Sequence, residues 1–247
     1  MLIAMALLAM VAGGAAALSR AGNLASQQSQ RWDREGRVSR VAIQRIRESI
    51  SRANGSNQFP GVVVMPTTHG SKSFPDRLVV WRCINDAAPR DPQVPYTDEL
   101  LFYLADPLAP HRLIESRIVA LVQPAPPLYD SSAWGTLLQS AATPNASAEW
   151  VELNDALRVV ATNIGGQPVH LPALRFHPYY APSDVEFDDY ASNLVPWTEL
   201  AWPLGRASTA SGCRMANIDI ELQLGGPLMP TPVVAVGAAS ATFQVTP

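Results

Sequence analysis

An acidic run at residues 184–189 is the densest group of potential metal ligands in the sequence. Its carboxylates belong to Asp184, Glu186, Asp188 and Asp189. Calcium binds several flexible oxygen ligands, so the run is a candidate calcium loop. The EF-hand pattern is not met, because Asp189 stands at the glycine position and Val195 at the position of the terminal glutamate. A solvated acidic loop without a metal is therefore the favoured interpretation.

The four histidines form no recognisable catalytic or metal-binding motif. They are His69, His111, His170 and His177, and neither H-x-H nor H-E-x-x-H spacing occurs. His170 and His177 are expected on opposite faces of one strand, since their positions differ by seven, an odd number. The sequence also lacks a G-x-S-x-G elbow and a Walker loop. We therefore predict no enzyme activity, no cofactor and no small-molecule substrate.

The two cysteines, Cys83 and Cys213, are candidates for one disulfide bond. Both fall in strand-like segments, RLVVWRCI and GCRMANIDIELQL. In an oxidising compartment the bond would close a long loop and stabilise the fold by roughly 4 kcal/mol on the loop-entropy model. Two buried free thiols are the alternative, and the sequence does not decide between them. Two cysteines are too few for a zinc site built of thiolates.

The N-terminal segment has the character of a membrane helix. Residues 1–18 contain no charged or strongly polar side chain, and no proline occurs before Pro60. Eighteen helical residues span about 27 Å, close to the roughly 30 Å thickness of the hydrocarbon core. The segment ends in small residues, AGGAAAL, which permit close packing between helices. Its larger apolar residues, predicted to face lipid or other helices, are Leu2, Ile3, Leu7, Leu8, Met10, Val11 and Leu18.

Residues 19–55 continue the helix as a polar stalk. Asp33 and Arg37, like Glu48 and Arg52, place an acid four residues before a base, the favourable order on a helix. Asn54-Gly55 supplies a helix stop, so we expect one helix over residues 2–53. Apolar residues recur with helical spacing at Val38, Val41, Ala42, Ile46, Ile50 and Ala53.

The remaining residues, 56–247, hold all 22 prolines and short strand signals. The fold class expected is therefore α+β: a long N-terminal helix, transmembrane over 1–18 and stalk over 19–55, followed by a β-rich head of mostly antiparallel strands. Gly165-Gly166 is predicted to be a hairpin turn, 181–210 irregular, and 133–140 and 148–155 helical. Strands are predicted at 61–65, 76–84, 99–105, 112–122, 157–164, 169–180, 213–224 and 241–245.

Six aromatic residues lie close together late in the sequence, and core packing is favoured over a partner-binding patch for them. They are Phe176, Tyr179, Tyr180, Phe187, Trp197 and Trp202.

The charge is distributed unevenly between the stalk and the head. Residues 1–55 carry eight arginines against three acidic residues, whereas the rest carries ten basic against eighteen acidic residues. A basic stem with an acidic head indicates two parts with different surroundings. The total of −3 gives no basic surface of the kind that nucleic acid requires.

These features together resemble the type IV pilin and type II secretion pseudopilin family. The start MLIAMALLAMVAGG resembles the prepilin segment, which commonly reads Gly-Phe-Thr-Leu-x-Glu before an apolar run. The stem SRVAIQRIRESISRAN, followed by LPALRFHPYY, VPWTELAWP and NIDIELQL, is similar in order to J-type minor pseudopilins and related minor pilins. Residues 123–150 look like an insertion. The family's leader glycine and glutamate would precede Met1, which the resemblance implies is an internal methionine.

The resemblance implies a structural role in a bacterial inner-membrane filament. Residues 1–18 would lie first in the membrane and then in the filament core, and the head would lie in the periplasm or at the cell surface. The partners would be other pilin-like subunits and the inner membrane, with assembly near the filament tip. Whether the filament is a secretion pseudopilus, a pilus or another fibre stays open, as does the partner of the head.

Two other interpretations remain. The first is a secreted or anchored β-rich binding protein or enzyme with a signal sequence, for which Ala15-Ala16-Ala17 offers an A-x-A-like cleavage site. Against it, no basic n-region precedes the apolar run, and the predicted helix continues through the cleavage site. The second is a lone signal anchor, which conflicts with the positive-inside rule because Arg20 and the basic stem would lie outside.

Overall fold

The computed structural model describes residues 2–56, 58–82, 91, 93–143, 148–196, 199–200, 212–225 and 232–245. The expected α+β architecture is confirmed: one long N-terminal helix precedes a head of antiparallel sheets. In chain order the elements are α1 (Leu2–Ser51), β1 (Val62–His69), β2 (Lys72–Trp81), a 3-10 turn (Thr97–Glu99), β3 (Leu100–Ala105), β4 (Leu113–Ile118), α2 (Ser131–Ala141), β5 (Ala148–Asn154), β6 (Val159–Ile164), β7 (Gln167–Pro172), β8 (Leu174–Ala181), α3 (Asp184–Ala191), β9 (Gly212–Leu224) and β10 (Val233–Val245).

The described strands form three sheets. The first is a five-stranded meander in the order β1-β2-β3-β4-β5, and the second has the order β10-β9-β8. The third is the β6–β7 hairpin, which pairs Ile164 with Gln167. Gly165 and Gly166 form its turn as predicted, both at positive φ, a conformation that favours glycine.

The five-stranded sheet is buried on both faces. In β2, Leu78 and Val80 belong to one apolar cluster with α1 and the three-stranded sheet. Val79 and Trp81 belong to a second cluster with α2. A strand covered on both faces needs apolar residues at every position, and this accounts for the unbroken runs LVVW and LLFYL in β2 and β3.

Only one face of the last part of α1 enters the head. Ala42, Ile43, Ile46 and Ile50 are buried and repeat at helical spacing. Val41, which has the same periodicity in the sequence, is instead 69% exposed. The helix ends at Ser51, two residues before its predicted end.

Strand β10 lies against this face with small residues. Ala235, Ala239 and Ala241 pack into the same cluster as α1. A Cβ atom added to Gly237 would meet the Cγ2 atom of Ile43 well inside van der Waals distance. The close approach of helix and strand therefore requires glycine at this position.

Several predicted elements were wrong in type or extent. The helix predicted at 148–155 is replaced by strand β5 over Ala148–Asn154, which pairs along β4. Tertiary pairing overrides local preference there. The single strand predicted at 169–180 is two strands, since β7 pairs with β6 and β8 with β9. Helix α3 occupies part of the 181–210 region expected to be irregular, and β10 begins well before the predicted 241.

Replacing Gly237 with valine should destabilise the head. An inserted side chain in a packed core costs about 1–3 kcal/mol, and the stiff, β-branched Ile43 cannot easily move aside. Urea unfolding of the full chain in detergent micelles, followed by tryptophan fluorescence, measures the change. Gly135→Ala in α2 is the control, because a Cβ there meets nothing within 4 Å. Equal midpoints for the two variants would contradict the close packing of β10 on α1.

Candidate membrane and assembly helix

The outer part of α1 is exposed in the described structure. From Ile3 to Gln27 every side chain that the structure describes is exposed. An 18-residue stretch near the N-terminus is apolar, with none of it buried, so by length and composition this helix could cross a membrane. Of the residues predicted to face lipid or other helices, Ile3, Met10, Val11 and Leu18 are largely exposed. Leu2, Leu7 and Leu8 lie in the same helix, and their side chains are outside the described residues.

The inner part of α1 is held to the head by a polar group that we call the stalk–head junction: Arg45, Ser49, Tyr103 and Glu115. The Arg45 guanidinium donates from Nε and Nη2 to the two Glu115 carboxylate oxygens, at 2.7 and 2.8 Å. The Tyr103 hydroxyl lies 2.6 Å from Ser49 Oγ and donates to Glu115 Oε2 at 3.0 Å. Bidentate geometry of this kind is the strong form of an ion pair and fixes both side chains.

Burial of Glu115 and the positive charge of Arg45 have opposite effects on the pKa of the Glu115 carboxyl group. Burial alone would raise the pKa of Glu115, but the hydrogen bonds and positive charge of Arg45 together lower that pKa below its ordinary value. Burial raises the pKa of Tyr103, and the nearby Glu115 charge raises it further. At neutral pH the junction therefore holds an ionised carboxylate, a protonated guanidinium and a neutral phenol.

A second polar contact lies one to two turns earlier on α1. Ser39 is buried and donates to the Glu35 carbonyl at 2.6 Å, and Asn154 of β5 reaches Ser39 Oγ at 3.5 Å. Partial burial and the neighbouring Asp155 raise the pKa of Glu35, while Arg34 lowers it. The head thus contacts α1 from about residue 35 onward.

The acidic run lies on helix α3 instead of a loop. The Glu186 carboxylate accepts from the Ser183 backbone and hydroxyl at the helix start, a capping box. Asp184 forms an ion pair with Arg214 of β9. No group of three or more His, Cys, Asp or Glu side chains among the described residues is placed to hold a metal ion. Asp188 and Asp189 belong to the same helix, and the calcium hypothesis gains no support from the arrangement.

Arg214 is buried between aromatic rings that the sequence had grouped together. Its guanidinium carbon lies 5.1 Å from the Tyr180 ring centre and 4.4 Å from that of Phe187. Tyr180 also donates from its hydroxyl to the Val62 carbonyl at 2.9 Å. Core packing, the favoured interpretation, therefore holds for Phe176, Tyr180 and Phe187, while Tyr179 is exposed. Trp197 and Trp202 lie outside the described residues.

The remaining candidates are dispersed. Cys83 lies outside the described residues. Cys213 lies in β9 opposite Gln244, but its side chain is not among those that the structure describes. The disulfide bond therefore stays a prediction. The prediction that His170 and His177 share a strand was wrong, because they lie in β7 and β8. His170 and His69 line a common cleft, whereas His111 does not.

Sequence reasoning missed the stalk–head junction, although one signal was available. Glu115 lies two residues after the apolar Leu113 and therefore on the same face of strand LIESRI, and a carboxylate at a buried strand position needs a partner. Nothing in the sequence indicates that this partner is Arg45, because the two residues are seventy positions apart.

The comparisons give no relative from which a role could be transferred. Neither a protein-family model, nor a curated protein, nor a solved structure matches this chain.

Replacing Arg45 with methionine should cost about 1 kcal/mol of head stability at neutral pH, because solvent screens the half-exposed Arg45 side chain although its partner Glu115 is buried. The lowered pKa of Glu115 means that its stabilisation is present above the ordinary value of about 4.3 and is lost as the pH falls further. The difference between wild type and variant should therefore shrink as the pH falls from about 6 to about 3.

Urea unfolding at several pH values measures this effect, with Arg47→Met as the control. Arg47 is exposed on the same helix, so its loss should change stability little at any pH. A pH-independent difference for Arg45→Met, or an equal effect of Arg47→Met, would contradict the assigned role of the junction.

Proposed function

We propose that the chain is a structural subunit of a pilin-like or pseudopilin-like filament, assembled through the exposed part of α1. The observation that carries the proposal is the division of one continuous helix. Its outer part is apolar and uncovered, while its inner face forms part of the core of the head. Because the helix is continuous, the position of the head is fixed relative to the lipid or protein that surrounds the apolar end.

The exposed part of α1 has two kinds of surface suited to such a role. The stretch Ala12–Leu18 consists of small residues up to its last position, which permits helices to approach closely. Farther along, Leu24 and Trp32 remain exposed among polar neighbours. We propose that the first surface lies in the inner membrane before assembly and among other subunit helices afterward, and that the stalk contacts neighbouring subunits.

The mechanism requires no bond chemistry by the chain itself. In the membrane, the apolar segment is surrounded by lipid, and its backbone groups are satisfied within the helix. In a filament, the same segment is covered by neighbouring helices through close packing of small residues. The head, in the periplasm or at the cell surface, follows as a rigid attachment because the stalk–head junction and the apolar cluster fix it to α1.

A secreted protein with a cleaved signal sequence is the alternative. Its cleavage site at Ala15–Ala17 lies within the uninterrupted helix α1. The inner face of α1 is part of the head in both interpretations. The filament subunit and the secreted protein therefore differ only in whether the apolar segment is kept or cleaved.

A charge in the apolar segment should abolish membrane retention and assembly while the head stays folded. Val11→Arg places a cation near the middle of the segment, where it costs roughly 2.5–3.5 kcal/mol on insertion scales. Gln27→Arg is the matched control, since that position is exposed beyond the apolar stretch. Membrane fractionation in the native host, with protease resistance of the head as the folding check, measures the effect. Unchanged membrane retention of Val11→Arg would contradict the proposal.

A photo-reactive amino acid at Ala16 should crosslink to the apolar helices of other membrane-inserted subunits. The same group at Val185, which is exposed on helix α3 of the head, should not give those products. Mass spectrometry of the crosslinked peptides identifies the partners. Products with lipid or with no protein, under conditions in which filaments form, would count against assembly through this helix.

A further inference from the structure

A proline-rich stretch connects β4 to helix α2, and we call residues 123–129 the proline segment. Its sequence is Gln-Pro-Ala-Pro-Pro-Leu-Tyr, and it lies outside the helices and strands of the head. Proline fixes its own φ, and the residue before a proline is restricted to extended or polyproline II conformations. Gln123, Ala125 and Pro126 each precede a proline. The sequence therefore confines the backbone here to a polyproline II-like course.

The head holds the proline segment in place through backbone hydrogen bonds. The Ala125 N–H donates to the Pro95 carbonyl at 2.8 Å. The Pro127 carbonyl accepts from the Asp130 N–H at 2.9 Å and from Nε1 of Trp134 at 3.1 Å. Trp134 is itself buried in the cluster beneath α2. The segment is thus ordered before it meets any partner, which reduces the entropy lost on binding.

One side of the proline segment faces the head and the rest faces solvent. Ala125 is buried in the same cluster as Trp134, whereas Pro124 and Pro127 are exposed. Polyproline II has three residues per turn, so these two prolines lie on the same side of the chain. Tyr129, just beyond them, is 89% exposed. Two prolines and an aromatic ring therefore form a continuous apolar surface in water.

The backbone of the proline segment offers hydrogen-bond acceptors to a partner. Its prolines have no N–H group, and the N–H of Ala125 is already bonded within the head. The carbonyls of Pro124 and Pro126 accept no hydrogen bond from any residue that the structure describes. No charged residue lies between Arg117 and Asp130. A partner that fits this surface presents apolar slots and hydrogen-bond donors, and it needs no charge.

We infer that the proline segment binds an aromatic-lined groove of a partner protein. Grooves of this kind recognise polyproline II segments by packing prolines between aromatic rings. Donors along the groove, such as a tryptophan Nε1, bond to the free carbonyls of Pro124 and Pro126. Tyr129 enters a neighbouring slot. The inference does not depend on the filament proposal, because the segment belongs to the head and not to the outer part of α1.

The test titrates the full chain, in detergent micelles, into an isotope-labelled WW domain that recognises Pro-Pro-x-Tyr, the order present at residues 126–129. NMR shift changes should map to the aromatic groove of the domain and saturate at sub-millimolar concentration. Tyr129→Ala and Pro127→Ala should each weaken binding by about tenfold or more, as expected for anchor residues. Neither should move the unfolding midpoint much, because both side chains are exposed.

Tyr179→Ala is the matched control, because Tyr179 is also exposed, at 66%, but lies on β8. This variant should bind the WW domain as the wild type does. The peptide acetyl-Gln-Pro-Ala-Pro-Pro-Leu-Tyr-Asp-amide is the reference for the segment without the fold, and the full chain should bind at least as tightly. Binding by the peptide but not by the full chain, binding by neither, or equal affinities of the Tyr129→Ala and Tyr179→Ala variants would each overturn the inference.

Discussion

Ile43, Ile46 and Ile50 project from one face of α1 into the apolar cluster that also contains the inner faces of both larger sheets. All three are almost completely buried, and fully burying such a side chain contributes about 1.5–3 kcal/mol. Without this face, the two sheets would expose a shared apolar surface to water. The helix is therefore part of the core of the head, and the head cannot be regarded as a unit that α1 merely carries.

The polar contacts give this packing its register. Apolar side chains tolerate some sliding and rotation of a helix, whereas the bidentate pair between Arg45 and Glu115 is satisfied only at one position. The Tyr103 hydroxyl, between Ser49 and Glu115, adds a second constraint at the same point. A fixed register matters if the outer part of α1 sits in an assembly, because it then determines where the head lies.

The sequence predicted elements wherever burial produced a clear pattern. The long helix, the apolar strands β2 and β3 and the alternating strand β9 were all recognised, since each has a strong apolar signal. Most of β10 was missed because its inward positions are occupied by alanines and Gly237, which give only a weak apolar signal in the sequence. Small residues are needed at these positions because α1 packs closely against the strand. Strand β5 was taken for a helix because its pairing with β4 is not visible in the local sequence. The junction unites residues far apart in the chain, so it could not be derived before the fold was known.

Mass spectrometry of the N-terminus in native membranes measures whether the apolar end of α1 is kept in the mature protein. We expect a membrane-bound chain that retains residues 3–18 of the apolar segment. A soluble mature chain that begins near Leu18 would overturn the proposal, since the helix would then lack the surface proposed for assembly.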